Sequence, residues 1–114
     1  MRIHHLAFRT RDLAGLEAFY LALGFESART QPGYSVWLRS GDAVLMLEQA
    51  EDAEPSPTPG SRELVAFRVS SAERERVRSV LATRGITLED ETEHTLYFRD
   101  PDGRRIGVSS YPLD

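Results

Sequence analysis

Cysteine and lysine are both missing from this chain of 114 residues. The absence of cysteine excludes disulfides, thiol nucleophiles and metal sites built on thiolates. No apolar run is long enough to cross a bilayer, and the N-terminal Met-Arg-Ile-His-His has none of the apolar character of a signal peptide. The sequence therefore predicts a soluble, cytoplasmic protein with no membrane partner.

A basic surface is also missing, although the chain contains many arginines. All 14 basic residues are Arg, but 18 acidic residues bring the formal net charge to -4. Arg74, Arg76 and Arg78 recur at a spacing of two, which spreads them around a helix instead of forming one basic stripe. Because nucleic-acid binding relies on a basic face, this composition excludes nucleic acid as a partner.

The first part of the chain has the pattern of one strand, one helix and three further strands. Residues 3–10 alternate between apolar and polar side chains, which is typical of a half-buried strand. Asp12 is a helix N-cap ahead of an apolar stripe, and Gly24 is the matching C-terminal stop. The later strands are predicted over 25–30, 34–39 and 43–48.

The second part repeats this order after an acidic, proline-rich linker over 49–61. Alternation over 64–69 predicts a strand, and Ser70 with Glu73 fits a capping box at the start of a helix that Gly85 ends. Two more strands are predicted over 95–99 and 105–111, joined by the turn Asp100-Pro101-Asp102-Gly103.

The two parts are related by an internal repeat. Ala7-Phe8-Arg9 recurs as Ala66-Phe67-Arg68, fifty-nine positions later, and Trp37-Leu38-Arg39 is answered by Tyr97-Phe98-Arg99. A unit of this size cannot close a core alone, so two copies are expected to fold together. The predicted fold class is α+β with two repeated βαβββ modules. A ferredoxin-like sandwich is the alternative, but it has only two strands in each half.

This repeat resembles the vicinal oxygen chelate superfamily, which includes glyoxalase I, extradiol dioxygenases, and fosfomycin- and bleomycin-resistance proteins. The resemblance rests on His5-Leu6-Ala7-Phe8-Arg9 before Asp12-Leu13, on Phe19-Tyr20 with Leu23-Gly24-Phe25, and on Tyr97 to Gly103 followed by Ile106. It implies one domain over 1–114, with module one over 1–48 and module two over 62–114. It also implies that the strands curl into a half-open mixed sheet around a cavity, with the helices outside, and that the chain forms a homodimer.

Metal-dependent members of the superfamily take one ligand near the start and one on the last strand of each module. The resemblance places these positions at His5, Met46, Leu64 and Gly107, with Glu48 two residues beyond Met46 and on the same strand face. Only His5, and Glu48 if it substitutes for Met46, offers a donor atom for a divalent ion. His4 is expected to point away from His5 by strand alternation. We therefore expect no cofactor and no tightly bound metal.

The cavity implied by the resemblance would have a mixed lining. Trp37 and Tyr97 could stack on a planar ligand, and Arg9 with Arg68 could hold a carboxylate or phosphate. The alternatives are packing for Trp37, surface ion pairs for the arginines and a solvated carboxylate for Glu48. The candidate lining residues are His5, Arg9, Trp37, Arg39, Met46, Glu48, Leu64, Arg68, Tyr97 and Arg99.

Three functional hypotheses follow. The first is a binding protein of the bleomycin-resistance type that sequesters a small planar or anionic molecule. The second is a metal-dependent lyase, isomerase or dioxygenase that uses His5 and Glu48. The third is a module that only dimerises. A serine elbow and a glycine-rich phosphate loop are both missing, so the sequence offers no other catalytic set.

Overall fold

The computed structural model describes residues 1–113 and has the predicted α+β architecture. Its chain divides into two compact units, one over Met1–Ser56 and a second that begins at Pro57. The elements of the first unit are β1 (Leu6–Thr10), α1 (Leu13–Ala22), β2 (Glu26–Gln31), β3 (Ser35–Ser40) and β4 (Ala43–Gln49). Those of the second are β5 (Leu64–Arg68), α2 (Ser71–Thr83), β6 (Asp90–Glu91), β7 (Thr95–Arg99) and β8 (Arg105–Ser109).

Both units contain a four-stranded mixed sheet with the same topology. The strand order is β1-β4-β3-β2 in the first unit and β5-β8-β7-β6 in the second. In each sheet the first strand runs parallel to the last strand of its unit, and the remaining pairs are antiparallel. The prediction of two repeated βαβββ modules is confirmed.

Helix α1 covers one face of the first sheet and begins where the sequence predicts. The Asp12 carboxylate accepts a hydrogen bond of 2.9 Å from the Gly15 amide, as an N-cap should. Gly24 follows the last turn at φ 117°, a conformation that favours glycine. Phe19 and Tyr20 are fully buried, and the Tyr20 ring lies 6.0 Å from that of Phe8 on β1. Side chains of Leu38, Leu45 and Leu47 complete this core.

Helix α2 covers one face of the second sheet and also begins where the sequence predicts. The predicted capping box is present: the Ser70 hydroxyl accepts from the Glu73 amide at 3.1 Å, and the Glu73 carboxylate accepts from the Ser70 amide at 2.9 Å. These hydrogen bonds lower the pKa of Glu73. Val77 and Leu81 are buried, as are Leu96, Phe98 and Ile106 on the sheet. Within the described chain, neither helix is long and apolar enough to cross a membrane.

The start of β1 and the end of β8 differ from the predictions because pairing partners run out. The parallel register sets Leu6 opposite Leu45, so a strand beginning at Ile3 would face the turn before β4. Strand β8 ends at Ser109 because β5 ends opposite it at Arg68 and the antiparallel β7 begins opposite it at Thr95. Between α2 and β7 the chain pairs over only two residues, Asp90 and Glu91.

The predicted linker contains neither helix nor strand after β4, and its first half is held by module one. The Arg11 guanidinium donates to the Ser56 hydroxyl at 2.7 Å and to the carbonyls of Asp52 and Glu54. The Ala50 amide donates to the Thr10 carbonyl at 2.7 Å. This part of the linker is therefore fixed along the junction of β1 and α1.

Candidate functional site

The predicted site residues of module one share the sheet face opposite α1. The strand register sets Ala7, Met46 and Trp37 in one row, and the next row holds Arg9, Glu48 and Ser35. Arg39 follows Trp37 by two residues on β3 and is exposed on the same face. The side chains that the alternation predicted to lie together therefore do so within this module.

His5 lies immediately before β1 and contacts two other rings. Its ring centroid is 4.8 Å from that of Trp37 and 5.1 Å from that of His4. The Nδ1 atoms of His4 and His5 are 2.9 Å apart, a hydrogen-bond distance. The prediction that His4 points away from His5 is wrong, because β1 begins only at Leu6 and strand alternation does not govern these two residues.

Arg9 is held by carboxylates of its own module. Its Nε donates to Glu54 at 2.6 Å, its Nη1 lies 3.5 Å from Glu48, and its Nη2 donates to the Gln49 carbonyl at 3.3 Å. The Glu54 carboxylate raises the pKa of Arg9, and Arg9 in turn lowers the pKa of Glu54. Beside this group lies an open cleft of about 420 Å³ lined by Arg9, Glu48, Ser35 and the exposed Tyr34.

In module two, the two positions that the resemblance assigns to metal ligands are neighbours without donor atoms. Gly107 lies between Ala66 and Tyr97 in the strand register. A Cβ atom added to Gly107 would lie 3.4 Å from the Leu64 Cδ1 atom and 3.4 Å from the Ala66 Cβ atom. The chain at this point thus offers an isobutyl group, a methyl group and the ladder-bonded backbone of the buried Gly107, and none of these supplies a side-chain donor for a divalent ion.

The lack of a metal-binding group of side chains extends to the whole described chain. Among residues 1–113, no three His, Asp or Glu side chains come close enough together to hold a metal ion. The ring of His5 packs against Trp37, and the carboxylate of Glu48 faces Arg9. The donor set therefore does not fit the divalent ion that the resemblance implies for metal-dependent members.

A charged cluster lies next to the apolar patch formed by Leu64, Ala66 and Gly107. It consists of Glu89, Arg99 and Arg105, and it adjoins the Tyr97 ring. The Glu89 carboxylate accepts from Arg99 Nε and, at 3.0 Å each, from Arg99 Nη2 and Arg105 Nε. Arg99 Nη1 also donates to the Ser61 carbonyl at 2.7 Å. The Arg105 guanidinium lies over the Tyr97 ring, 4.5 Å from its centroid, a cation–π distance.

Arg105 and the acid that holds it, Glu89, are not among the site residues predicted from the sequence. Arg105 precedes Gly107 by two residues on β8, so strand alternation alone places it on the face of Tyr97 and Arg99. Glu89 lies in an irregular segment before β6, where no periodicity predicts which side chain it will meet. The sequence therefore indicates the strand face of Arg105 but not its contact with Glu89.

Arg68 occupies a different environment from its counterpart Arg9. Within the part of the chain that the structure describes, the Arg68 side chain forms no ion pair and is exposed. It lines a shallow cleft of about 150 Å³ with Ser110, Tyr111 and Leu113. Arg9 and Arg68 lie in different modules, and their joint hold on one anion stays a prediction.

The Glu89 cluster should make the protein acid-sensitive. Hydrogen bonds from Arg99 and then Arg105 lower the pKa of Glu89 below its ordinary value of 4.5. Its contribution to stability is therefore present above that value and is lost as the pH falls through the depressed pKa. We expect Glu89→Gln to flatten the loss of unfolding free energy below about pH 5, measured by urea unfolding across pH.

Glu63→Gln is the control for this experiment, since Glu63 is an exposed acid of the same module. Below about pH 5, this variant should lose unfolding free energy as steeply as the wild-type protein does. If Glu89→Gln and wild-type protein lose unfolding free energy equally at acid pH, the contribution of ionised Glu89 to stability is contradicted.

Comparison with known proteins agrees with this fold. Residues 2–108 match the profile of the Glyoxalase/Bleomycin resistance protein/Dioxygenase superfamily. The chain is 29% identical over 122 aligned positions to Virulence protein STM3117 of Salmonella typhimurium, and the match covers 96% of this chain and 84% of that protein.

Solved structures show the same similarity. A lactoylglutathione lyase from Agrobacterium tumefaciens superimposes with a TM-score of 0.71 at 25% identity, covering 95% of this chain and 92% of that one. FosX, a fosfomycin resistance protein from Listeria monocytogenes crystallised with Mn(II) and sulfate, gives a TM-score of 0.81 at 15% identity, covering 98% and 91%. The second likeness concerns the fold alone. Since the profile spans nearly the entire chain, this protein belongs to the Glyoxalase/Bleomycin resistance protein/Dioxygenase superfamily.

Proposed function

We propose that this protein is a small-molecule-binding member of its superfamily that works without a tightly bound catalytic metal. Its ligand is a planar or anionic compound, held on the sheet faces opposite the helices. These faces combine aromatic rings, apolar side chains and a few polar groups, which is the usual composition of a small-molecule site.

The observation that carries the proposal is the pair Leu64 and Gly107. The two positions lie side by side on one sheet face, so module two offers hydrocarbon and bare backbone where a metal-dependent relative would offer side-chain donors. Neither a leucine side chain nor a ladder-bonded glycine backbone replaces an imidazole or a carboxylate.

The remaining donors of module one are also engaged elsewhere. His5 contacts Trp37 and His4, and Glu48 faces the guanidinium of Arg9. A divalent ion at His5 and Glu48 would therefore have two protein donors and would compete with an ion pair for one of them. Two donors are fewer than the three that catalytic zinc sites use.

Metal analysis of the purified protein tests this proposal. After expression in metal-supplemented medium, we expect clearly less than one divalent ion per chain by elemental analysis. The melting temperature should not change when EDTA is added, because no ion contributes to the folded state. Added Mn²⁺, Ni²⁺, Zn²⁺ or Fe²⁺ should leave the melting temperature equally unchanged.

The matched variant is His5→Ala, which removes the one imidazole at an expected ligand position. Its metal content should equal that of the wild-type protein. One tightly held divalent ion per wild-type chain, lost in His5→Ala, would overturn the proposal. That outcome would favour a metal-dependent lyase, isomerase or dioxygenase that uses His5 and Glu48.

The proposal includes the homodimer that the resemblance implies. Within residues 1–113, the outermost strands of each sheet pair on one side only, and these are β1 and β2 in module one and β5 and β6 in module two. Open strand edges favour association, so natural proteins usually cover them. A second copy of the chain is the partner that fits this expectation.

A further inference from the structure

We propose that Arg105 is the anion-recognising residue of module two, and that its ligand is a small molecule with a carboxylate or phosphonate group. This inference rests on the proposed function and adds a chemical class and a specific residue to it. Glu89 and Tyr97 act as positioning residues, since they hold the guanidinium in place.

The Arg105 side chain is buried and tightly placed. Only 8% of it is exposed. Its Nε donates to the Glu89 carboxylate at 3.0 Å, and its guanidinium carbon lies 4.5 Å from the centroid of the Tyr97 ring. A guanidinium fixed by an ion pair on one side and an aromatic face on another has lost most of its freedom before any ligand arrives, which favours binding.

Within the described residues, the donors at the end of this side chain have no hydrogen-bond acceptor. Arginine carries five N–H donors, and in Arg105 only the Nε–H bond is satisfied among residues 1–113. In the described chain, no fully buried side-chain nitrogen or oxygen lacks a hydrogen-bond partner. The two Nη atoms therefore reach the accessible surface, where an oxyanion can accept both in a bidentate arrangement.

The charge of the cluster is also unbalanced. One carboxylate, Glu89, serves two guanidinium groups, those of Arg99 and Arg105. Arg99 is further satisfied by the carbonyls of Ser61 and Gly103. Among the described residues, the neighbouring Asp90 forms no ion pair with either guanidinium, and its carboxylate accepts from the Glu91 amide at 2.8 Å. A buried cation with a half share of one anion is the setting in which an external anion is stabilised.

Apolar residues adjoin Arg105 on the same sheet face and offer contact to the body of such a ligand. Leu64 pairs with Arg105 in the strand register, and Ala66 and Gly107 form the next row. Gly107 is itself buried, whereas Leu64 is 39% exposed and Ala66 is exposed, so the accessible part of the adjoining patch is apolar. An aromatic or aliphatic acid would place its oxygens on Arg105 and its hydrocarbon on this patch.

This arrangement occurs in module two alone. The equivalence of Met46 and Gly107 makes Val44 the counterpart of Arg105, so module one has an apolar side chain at that position. The repeat has therefore diverged at this point, and the cation is not required by the βαβββ scaffold.

Calorimetric titration with three probes tests the inference. Benzoate and phenylphosphonate supply the two oxyanions, and benzamide is a neutral molecule of similar shape. We expect wild-type protein to bind at least one of the anions and to bind benzamide at least about tenfold more weakly. Arg105→Gln should weaken anion binding at least about tenfold, because the charge and the fork are both lost.

Two further variants keep this test decisive. Arg76→Gln removes one exposed arginine from helix α2 and should bind as the wild type does. Arg105→Lys keeps the charge without the planar fork, so it should bind with intermediate affinity, and it replaces Arg105→Gln if the latter does not fold. Tighter binding of phenylphosphonate or of benzoate identifies which oxyanion the site prefers.

Failure of the inference differs from failure of the proposed function. Anion binding that is unchanged in Arg105→Gln, or benzamide binding as tight as anion binding, would overturn the role of Arg105 and leave a metal-free binding protein. No binding of any probe to wild-type protein would also overturn it. The proposed function fails by its own criterion, a stoichiometric divalent ion.

Discussion

Replacing Leu96 with alanine should lower the free energy of unfolding by about 2–5 kcal/mol, whereas the same truncation at Leu64 should cost less than about 1 kcal/mol. Leu96 is 0% exposed and belongs to the core beneath α2, while Leu64 is 39% exposed on the other face of the sheet. Truncation at Leu96 leaves a cavity in this core beside Val108, its partner in the strand register, but at Leu64 solvent fills the space.

Urea unfolding followed by circular dichroism measures both values. Because the two variants remove the same three carbon atoms from the same module, their difference reports the environment and not the residue type. Equal losses at Leu64 and Leu96 would contradict the placement of Leu64 on the open face. They would also contradict the assignment of that face to a ligand.

Side-chain periodicity determined most of what could be predicted about the fold. Apolar stripes located both helices, and Asp12 and Ser70 marked where they begin. The ends of β1 and β8 were harder to predict, since a strand ends where its partners end. That information lies some forty residues away in the chain for both strands.

The candidate site likewise combines strand faces that the sequence predicts with contacts that it does not predict. Alternation placed Trp37, Met46 and Glu48 on one face of module one, because the period of two is a local property of a strand. The partner of each charged side chain is not a local property. Arg9 meets Glu54 across forty-five positions, and Arg105 meets Glu89 from an irregular segment. Spacing in the sequence does not reveal either contact.

The two modules share one scaffold but carry different polar side chains beside an equivalent aromatic ring. Module one sets an imidazole, His5, against the ring of Trp37, whereas module two sets a guanidinium, Arg105, over the ring of Tyr97. Trp37 and Tyr97 are counterparts in the repeat, so the aromatic position persists while its polar companion differs.

The turn before β8 should be as important for stability as the core. The Asp100 side chain is 0% exposed, and its Oδ1 accepts from the amides of Asp102 at 2.9 Å and Arg104 at 3.1 Å. Its Oδ2 accepts from Arg104 Nη1 at 3.2 Å. We expect Asp100→Ala to lower the free energy of unfolding by about 2–4 kcal/mol, since it leaves two half-buried amides without this acceptor and removes one of the two carboxylates, Asp100 and Asp102, that face Arg104 Nη1.

Asp100→Asn separates the two parts of that loss. The amide oxygen can still accept from the backbone, so this variant should lose about half as much as Asp100→Ala, the difference being the charge that faces Arg104. Ser40→Ala changes the equivalent position in module one and should cost less than about 0.5 kcal/mol. Urea unfolding of the three variants gives the comparison. Equal stability of Asp100→Ala and Ser40→Ala would mean that the Asp-Pro-Asp-Gly turn is held by its backbone conformation alone, without help from the carboxylate.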